Sequence, residues 1–240
     1  MNVLVTGASR GVGLAICQVL LKQNFTVYAV SRSYTEDLKI LNEKYPDNLF
    51  YKSIDLSKPD SIQNELFKEF VKNKIPLHGF VNNAAVAYDD IITNLNLNRL
   101  EVMYNTNVFS PMMITKYAIR NMLFNKIPGS IIHISSISAH TGYKGLAMYA
   151  SSKGALEAFS KNTAREWGEL GIRSNVVVPG FMETAMSETL SKEQKDRIYK
   201  RTSLKKSTDV YSVAEMVSFL LSDKAISITG QDIHVDSGTI

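Results

Sequence analysis

The feature that most constrains the fold lies at the N-terminus, where a short apolar run leads directly into a glycine-rich turn. Val3-Leu4-Val5 has the composition of a buried strand, and Thr6-Gly7-Ala8-Ser9-Arg10-Gly11-Val12-Gly13 follows it. An apolar-periodic stretch from Leu14 to Leu20 then predicts a helix. The order strand, glycine turn and helix is typical of dinucleotide-binding α/β folds, in which the helix N-terminus faces a pyrophosphate.

The three glycines of this turn have separate expected roles. We expect Gly7 to permit the tight turn, Gly11 to let backbone amides approach a pyrophosphate, and Gly13 to allow close packing of the helix on the strand. The predicted cofactor-binding residues of the turn are Gly7, Ser9, Arg10, Gly11, Val12 and Gly13.

The rest of the chain repeats the alternation of strand and helix. With 240 residues, 45% hydrophobic and 21% charged, the chain can bury one large core. Strand-like runs occur near residues 2–6, 26–31, 49–54, 79–82, 130–135, 173–178 and 231–235. We therefore expect a single doubly wound α/β (Rossmann) domain over residues 1–240, with a seven-stranded parallel sheet in the order 3-2-1-4-5-6-7 and helices on both faces.

Several functional classes are disfavoured by composition. No segment approaches about 18 uninterrupted apolar residues, and the N-terminus enters a strand at once, so we expect no membrane span, no signal peptide and a cytoplasmic protein. Cys17 is the only cysteine and is expected in the core. His78, His133, His140 and His234 lack metal-ligand spacing, so no metal site is predicted.

Ser136, Tyr149 and Lys153 stand in the order Ser-x12-Tyr-x3-Lys and predict carbonyl chemistry. Tyr149 and Lys153, four residues apart, project from one helix face, and Ser136 follows a buried strand. An adjacent Lys⁺ is expected to lower the phenol pKa from about 10 toward the working range. Tyr149 would be the acid, and Ser136 would orient and polarise the carbonyl. The alternative is an ordinary helix-surface pair.

Together these residues resemble the classical branch of the short-chain dehydrogenase/reductase family, over essentially the whole chain. Thr-Gly-x3-Gly-x-Gly is that branch's cofactor signature, and Asn82-Asn83-Ala84-Ala85 and Pro179-Gly180 match two further segments. The extended branch usually shows Gly-x2-Gly-x2-Gly, and enoyl reductases of the superfamily separate Tyr and Lys by six residues. Both alternatives are disfavoured here.

The resemblance implies further cofactor contacts. Asp55 and the adjacent Leu56 match the position that touches adenine, and Asn83, Ala84 and Ala85 follow the fourth strand. The family has glycine at the position of Ala85, which matters only if the backbone there needs a positive φ. Pro179 and Gly180 would pack on nicotinamide, with Met182 and Thr184 holding the carboxamide and phosphates, and Tyr149 and Lys153 would also touch the cofactor.

The resemblance also implies a fourth catalytic residue. Asn107 falls in the register of the family asparagine, which holds a water linking the lysine to a proton relay. Asn105 is the competing candidate. We prefer Asn107 because Val-Phe-Ser-Pro follows it.

Cofactor choice follows from charge at the end of the second strand. An acidic residue about twenty positions beyond the glycine turn would bind the ribose hydroxyls and repel a 2′-phosphate. The chain has Ser31-Arg32-Ser33 there, and Arg10 lies within the turn. Two guanidinium groups near one phosphate favour NADP(H). The alternative is that Arg10 and Arg32 are simply solvated.

Within the family, the resemblance is closest to β-ketoacyl-acyl carrier protein reductases of fatty acid or polyketide biosynthesis. It implies NADPH-dependent reduction of a 3-oxoacyl thioester to a secondary alcohol. The segments that carry it are Gly129–Ile134, Ala164–Glu166, Gly171–Phe181 and Ile228–Gly238. Sugar, polyol and steroid dehydrogenases share these segments, so a free small-molecule substrate is an alternative, and a non-catalytic dinucleotide-binding sensor or scaffold is a second.

One departure concerns the carrier protein. Where the reductases have two docking arginines, this chain has Ile127 and Leu170, and Lys126, Lys116 or Arg120 are candidate substitutes.

A basic segment follows Pro179-Gly180. Its cations are Lys192, Lys195, Arg197, Lys200, Arg201, Lys205 and Lys206. The resemblance implies a substrate lid at about 181–207, which could steer an anionic substrate or an acyl carrier protein. A solvated helix face is the alternative, and nucleic-acid binding is disfavoured because no motif accompanies the charge. The resemblance also implies a homotetramer. We expect the loop His140–Leu146 and this basic segment to determine which substrate is bound.

Overall fold

A computed structural model of the chain describes residues 1–183 and 191–239. Seven strands form one parallel sheet in the order β3-β2-β1-β4-β5-β6-β7, as predicted. The strands are β1 Asn2–Thr6, β2 Thr26–Ser31, β3 Leu49–Ser53, β4 Gly79–Asn82, β5 Gly129–Ile134, β6 Ile172–Pro179 and β7 Asp232–Val235. Each strand begins and ends within one residue of its predicted bounds.

The helices lie on both faces of the sheet and connect successive strands. They are α1 Gly11–Lys22, α2 Glu36–Lys44, α3 Leu97–Tyr104, α4 Ser110–Phe124, α5 Ala147–Trp167, α6 Lys192–Arg201 and α7 Val210–Leu221. The crossover from β3 to β4 is the least regular, because it contains a 3₁₀ turn at Pro59–Ser61 and a π-type segment at Gln63–Lys68 instead of an α-helix.

Irregular turns adjoin the two long helices. α4 begins only at Ser110, because Asn105–Phe109 form a π-type turn between α3 and α4. α5 ends at Trp167 and continues as a 3₁₀ turn at Gly168–Leu170. Gly171, with φ +74°, then breaks it in the left-handed conformation that glycine adopts without strain.

Alternate residues of the strands supply two separate hydrophobic cores. Val3 and Val5 of β1 face the core that contains α1 and α7, whereas Leu4 between them faces the core that contains α4. The side-chain period of a strand is two, so a strand buried on both faces must be apolar throughout. Cys17 lies fully buried in the first core, and burial raises its thiol pKa to about 12, as expected of a core residue.

Strand order places a crevice at the carboxyl ends of β1 and β4. β1 pairs with β2 on one side and with β4 on the other, so the chain reverses its direction of winding between these neighbours. In open α/β sheets, ligands bind at such a point. Within the described part of the chain, no helix is long and apolar enough to cross a membrane.

Gly7 and Gly13 allow the turn between β1 and α1 to pack tightly against the loop after β4. Gly7 has φ +67°. A Cβ on Gly13 would lie 2.1 Å from the carbonyl oxygen of Gly7 and 2.5 Å from Nδ2 of Asn83. Gly13 therefore packs against the turn itself and the loop after β4, not only against the strand.

Replacing Gly13 by alanine should destabilise the fold. The added methyl group meets backbone, which cannot move aside, so Gly13→Ala is expected to lower the free energy of unfolding by about 1–3 kcal/mol. Gly154→Ala on α5 is the matched control, because its Cβ would meet no heavy atom within 4 Å. Urea unfolding without cofactor measures both variants. Equal stability of the two would contradict the tight packing at Gly13.

Candidate active site

The predicted site residues lie on loops at one edge of the sheet, after the carboxyl ends of six strands. The groups are Gly7–Gly13 after β1, Arg32 after β2, Asp55 and Leu56 after β3, Asn83–Ala85 after β4, Ser136 after β5, and Pro179–Met182 at and beyond the end of β6. Tyr149 and Lys153 lie on α5, and Asn107 lies in the π-type turn. Thr184 lies outside the described residues.

Thr6 and Asn83 join the glycine turn to the loop after β4. The buried hydroxyl of Thr6 accepts hydrogen bonds from the backbone N–H groups of Asn83 (3.1 Å) and Ala84 (3.2 Å). The side-chain amide of Asn83 donates to the carbonyl oxygens of Thr6 (3.0 Å) and Gly7 (3.1 Å). These four bonds fix the two loops relative to each other. The φ of Ala85 is not positive, so alanine fits where the family has glycine.

Lys153 brings a buried ammonium group to the end of β5. Its Nζ donates to the carbonyl oxygen of Ile134 at 2.8 Å and lies 5.6 Å from the ring centre of Tyr149. Lys153 is 3% exposed. Burial lowers the pKa of Lys153 to about 8, against a smaller opposing effect of the Glu157 charge. The group is therefore still mostly charged at neutral pH.

Tyr149 has a higher pKa than the sequence indicated. We expected Lys153 to lower the phenol pKa, but burial, and then the charge of Asp89, raise the pKa of Tyr149 to about 12. The expectation was wrong for the protein without cofactor because removing the phenolate from water outweighs the attraction of the ammonium. Tyr149 is consequently fully protonated at neutral pH, which is the state of a proton donor.

Ser136 starts a 3₁₀ turn immediately beyond β5. It is the N-cap of Ile137–Ala139, and its Oγ accepts hydrogen bonds from the N–H (3.2 Å) and the hydroxyl (3.0 Å) of Ser138. The side chain is half-buried. Because Oγ is held as an acceptor by two donors, its own proton is directed away from the turn and can be donated elsewhere.

Asn107 is fully buried and ties three segments together. Its Oδ1 accepts from the N–H of Val86 at 2.9 Å, and its Nδ2 donates to the carbonyl of Val86 at 2.9 Å and to the hydroxyl of Ser152 at 3.0 Å. The hydroxyl of Ser152 in turn donates to the carbonyl of Tyr149 at 2.7 Å. Asn107 thus reaches the backbone of the tyrosine helix through Ser152, whereas Asn105 is half-buried.

The two arginines of the predicted phosphate site are exposed on adjacent loops. Arg10 occupies the N-cap position of α1 without a side-chain capping bond, and Arg32 directly follows β2. The hydroxyl of Thr35 donates to the carbonyl of Ser9 at 2.7 Å, which holds the loop of Arg32 against the glycine turn. Asp55 accepts from the N–H of Ser57 at 3.0 Å; this bond, and the more distant charge of Arg32, lower its pKa.

The segment after β6 leads from the sheet to the basic helix α6. The N–H of Gly180 donates to the carbonyl of Val235 at 3.0 Å. Glu183 accepts a hydrogen bond from the hydroxyl of Tyr199 on α6, and its carboxylate lies 3.7 Å from Nζ of Lys195. The ring of Phe181 lies 6.0 Å from that of Tyr199. α6 therefore packs on residues 181–183.

Some residues that organise the site were missed in the sequence. Thr6 belongs to the Thr-Gly signature, but only the fold shows that its hydroxyl serves two N–H groups of another loop. Ser152 stands beside Lys153 with no distinguishing spacing. Asp89 acts on Tyr149 from the loop after β4, and no sequence motif brings these two residues together.

The sheet, the glycine turn and the loops at its carboxyl edge define a doubly wound dinucleotide-binding protein. A family model described as enoyl-(acyl carrier protein) reductase matches residues 7–239. The 3-oxoacyl-[acyl-carrier-protein] reductase of Buchnera aphidicola subsp. Acyrthosiphon pisum (strain APS) is 35% identical over 235 residues, covering 98% of this chain and 95% of that protein. The corresponding reductase of Escherichia coli (strain K12) is 34% identical, with coverage of 98% and 95%.

Other relatives have different names. L-xylulose reductase of Caenorhabditis elegans is 32% identical over 99% of this chain and 94% of its own. A solved structure of 4-hydroxyisoleucine dehydrogenase complexed with NADH superposes with a TM-score of 0.92 and 26% identity, covering 99% of this chain and 98% of the other. The chain belongs to the short-chain dehydrogenase/reductase family. It is an oxidoreductase acting on CH–OH and C=O groups, in a family that binds a nicotinamide dinucleotide.

Replacing Lys153 by an uncharged residue should stabilise the protein, because it eliminates a buried charge. Burial lowers the pKa of Lys153 from 10.5 to about 8, so between these values the unfolded chain binds more protons and stability rises with pH. Below pH 8 the full free-energy cost of burying the Lys153 ammonium applies. Lys153→Met is therefore expected to raise the free energy of unfolding at pH 7 by about 1–3 kcal/mol, with a difference that shrinks from pH 8 to 10.5.

Denaturant unfolding at a series of pH values measures this difference. Lys116→Met, at an exposed position on α4, is the control and should change stability by less than about 0.5 kcal/mol at every pH. A Lys153→Met protein that is less stable than the parent at pH 7, by an amount independent of pH, would contradict the cost of burying this ammonium.

Proposed function

We propose that the protein uses NADPH to reduce a ketone to a secondary alcohol, and that the ketone is a 3-oxoacyl thioester carried on acyl carrier protein. The observation that carries the chemistry is the pair formed by half-buried Tyr149 and buried Lys153 at the carboxyl end of β5, where Ser136 also lies. Lys153 supplies a positive charge that water does not screen, and Tyr149 holds a proton at neutral pH.

Each side chain has one task in this proposal. Ser136 and Tyr149 donate hydrogen bonds to the carbonyl oxygen as negative charge grows on it, and Tyr149 then transfers its proton. Lys153 favours the phenolate left behind and contacts the cofactor. Asn107 fixes the turn around Val86 and the helix carrying Tyr149, and holds the water that relays protons to Lys153. A nicotinamide bound there would supply the hydride.

The glycine turn and the neighbouring loops fit a dinucleotide. We propose contacts from the turn (Gly7, Ser9, Arg10, Gly11, Val12 and Gly13), from the adenosine side (Arg32, Asp55 and Leu56), and from the nicotinamide side (Asn83, Ala84, Ala85, Pro179, Gly180, Met182 and Thr184). Arg10 and Arg32 lie on loops held together by the bond from Thr35 to Ser9, which supports a shared 2′-phosphate and hence NADP(H).

Arg32→Glu should reverse the cofactor preference. A carboxylate at the end of β2 would bind the ribose hydroxyls and repel a 2′-phosphate, so the variant is expected to bind NADPH at least tenfold more weakly and NADH no worse. Titration calorimetry with both cofactors measures this. Arg165→Glu, an equal change of charge at an exposed site on α5, should leave both affinities unchanged. If the parent protein binds NADH as tightly as NADPH, the assignment of NADP(H) is wrong.

Relatives and surface charge support a carrier-bound substrate. The 3-oxoacyl-[acyl-carrier-protein] reductases match over 98% of this chain. The cations of α6 are mostly exposed: Lys192, Arg197, Lys200 and Arg201. We propose that α6, as part of a lid spanning about 181–207 in a single domain, presents this charge to an acidic carrier. By contrast, Ile127 and Leu170 line an apolar depression with Met122, Leu123, Lys126 and Pro128, where no arginine stands.

A free small molecule is the second candidate substrate, because L-xylulose reductase is also a relative over almost the whole chain. The loop His140–Leu146 would then decide selectivity. It contacts the loop after β4, since the N–H of Asp90 donates to the carbonyl of Gly145 at 2.9 Å.

For assembly we propose a homotetramer, with exposed Phe109 and Phe124 at the two ends of α4 available for subunit contacts.

Tyr149→Phe tests the proposed reaction. The variant loses the acidic proton but keeps the ring, so NADPH oxidation with acetoacetyl-coenzyme A is expected to fall by about 10²–10⁴-fold while NADPH affinity changes little. Tyr211→Phe, at an exposed position on α7 outside the proposed site, is the control and should retain turnover. Substrate-dependent oxidation of NADPH in neither the parent nor the variant, across acetoacetyl thioesters and a panel of ketones, would reject the reductase proposal.

The same assay separates the two substrate classes. Acetoacetyl-acyl carrier protein should have a kcat/KM at least tenfold above that of acetoacetyl-coenzyme A and of L-xylulose, and this advantage should decrease as salt screens the cations of α6. A preference for L-xylulose would favour the second candidate instead.

A further inference from the structure

A row of polar side chains extends from the proposed active site along one face of α5. Tyr149, Lys153, Glu157 and Lys161 follow each other at intervals of four residues, so they lie one above the next. Lys153 is 3% exposed and Glu157 is 8% exposed, which makes them two buried opposite charges one helical turn apart. The proposed reaction uses the first two members of the row and leaves Glu157 without a role.

Glu157 binds the segment that follows β5. Its Oε1 accepts a hydrogen bond from the hydroxyl of Ser135 at 2.5 Å and lies 3.0 Å from Nε2 of His140. Ser135 stands between Ile134, whose carbonyl oxygen binds Lys153, and Ser136. One carboxylate therefore holds both the start and the end of the short segment that carries Ser136.

The surroundings of Glu157 supply further charges. On α5, Lys153 and Lys161 lie one turn away on either side. From β7, Asp232 binds Lys161 at 2.5 Å, and the ring of His234 lies 4.8 Å from that of His140 in an edge-to-face contact. From β5, His133 is fully buried, and burial, together with the charge of Lys153, lowers its pKa to about 3, so it is neutral. From the loop after β4, the charge of Asp89 reaches Tyr149.

We propose that Glu157 is a positioning residue for the reductase reaction: its carboxylate keeps the ammonium of Lys153 charged and anchors the Ser135–His140 segment. This inference rests on the function proposed above.

The physical basis is a balance between two opposing effects on Lys153. Burial disfavours the ammonium, and the Glu157 carboxylate one turn away favours it. Without that carboxylate, Lys153 would lose its proton at a lower pH, and a neutral amine no longer favours the phenolate of Tyr149. A permanent cation at position 140 would offset the carboxylate from the other side, because Nε2 of His140 lies 3.0 Å from Oε1 of Glu157.

Glu157→Gln tests the electrostatic effect directly. Glutamine keeps the shape and can still bond to Ser135 and His140, but it removes the charge. The ionisation of Lys153 is followed by NMR on protein labelled with ¹³C at lysine Cε, with the resonance assigned by its absence in Lys153→Met. Its pKa is expected to fall by about one pH unit, a tenfold change in ionisation constant. Glu166→Gln, an equal change of charge at an exposed site of α5, should leave it unchanged.

A second variant keeps the test decisive if Glu157→Gln does not fold. His140→Arg places a permanent cation against the carboxylate at a partly exposed position, so it should also lower the pKa of Lys153, whereas His140→Gln should not. If Lys153 ionises at the same pH in the parent, Glu157→Gln and His140→Arg, or if Glu166→Gln shifts it equally, the proposal is overturned.

Kinetics provide an independent reading. With NADPH and acetoacetyl-coenzyme A, the alkaline limb of the kcat/KM profile should move to lower pH by about the same interval in Glu157→Gln. A purely structural role would reduce thermal stability or kcat at every pH without moving the limb, and would overturn the proposal. If no substrate turns over, the function proposed above fails, while the NMR titration still decides whether Glu157 sets the charge of Lys153.

Discussion

The buried ammonium of Lys153 is the interaction on which the site depends. Moving a cation out of water is costly, and the structure offsets this cost with the carbonyl of Ile134 and the charge of Glu157. Both partners require α5 to lie against the end of β5 in one register. The position of Tyr149 on the preceding turn, and that of Ser136 two residues beyond Ile134, follow from this docking. Stability is reduced locally, and an ammonium group that water does not screen lies 5.6 Å from the ring centre of Tyr149.

Much of the fold was predictable because its signals are local. Apolar runs and turn residues located every strand to within one residue, and the glycine turn identified the crevice. The crossover between β3 and β4 was not predictable in this way, since its π-type segment at Gln63–Lys68 depends on packing against α4. The pKa of Tyr149 was misjudged for a similar reason. The sequence shows Lys153 as a neighbour, but it does not show how deeply the phenol lies or that Asp89 approaches it.

The π-type turn at Asn105–Phe109 determines contacts that residue spacing in the sequence does not reveal. The sequence favoured Asn107 over Asn105 by register, and in the structure Asn107 is the fully buried residue of the two. A turn of this kind inserts one residue into the helical repeat and so changes which side chains face inward. The three hydrogen bonds of Asn107 then link the loop after β4 with α5. Its place between that loop and α5 is a property of the assembled fold.

The contact of Gly13 with Gly7 and Asn83 has a consequence for the design of variants of this protein. A side chain at Gly13 would meet both the carbonyl group of Gly7 and the side-chain amide of Asn83, so a larger residue there requires both neighbours to move. The described chain is less tightly interlocked in the loop His140–Leu146 and on the solvent face of α6. Libraries aimed at new ketones should randomise those two regions and leave the interlocked loops unchanged.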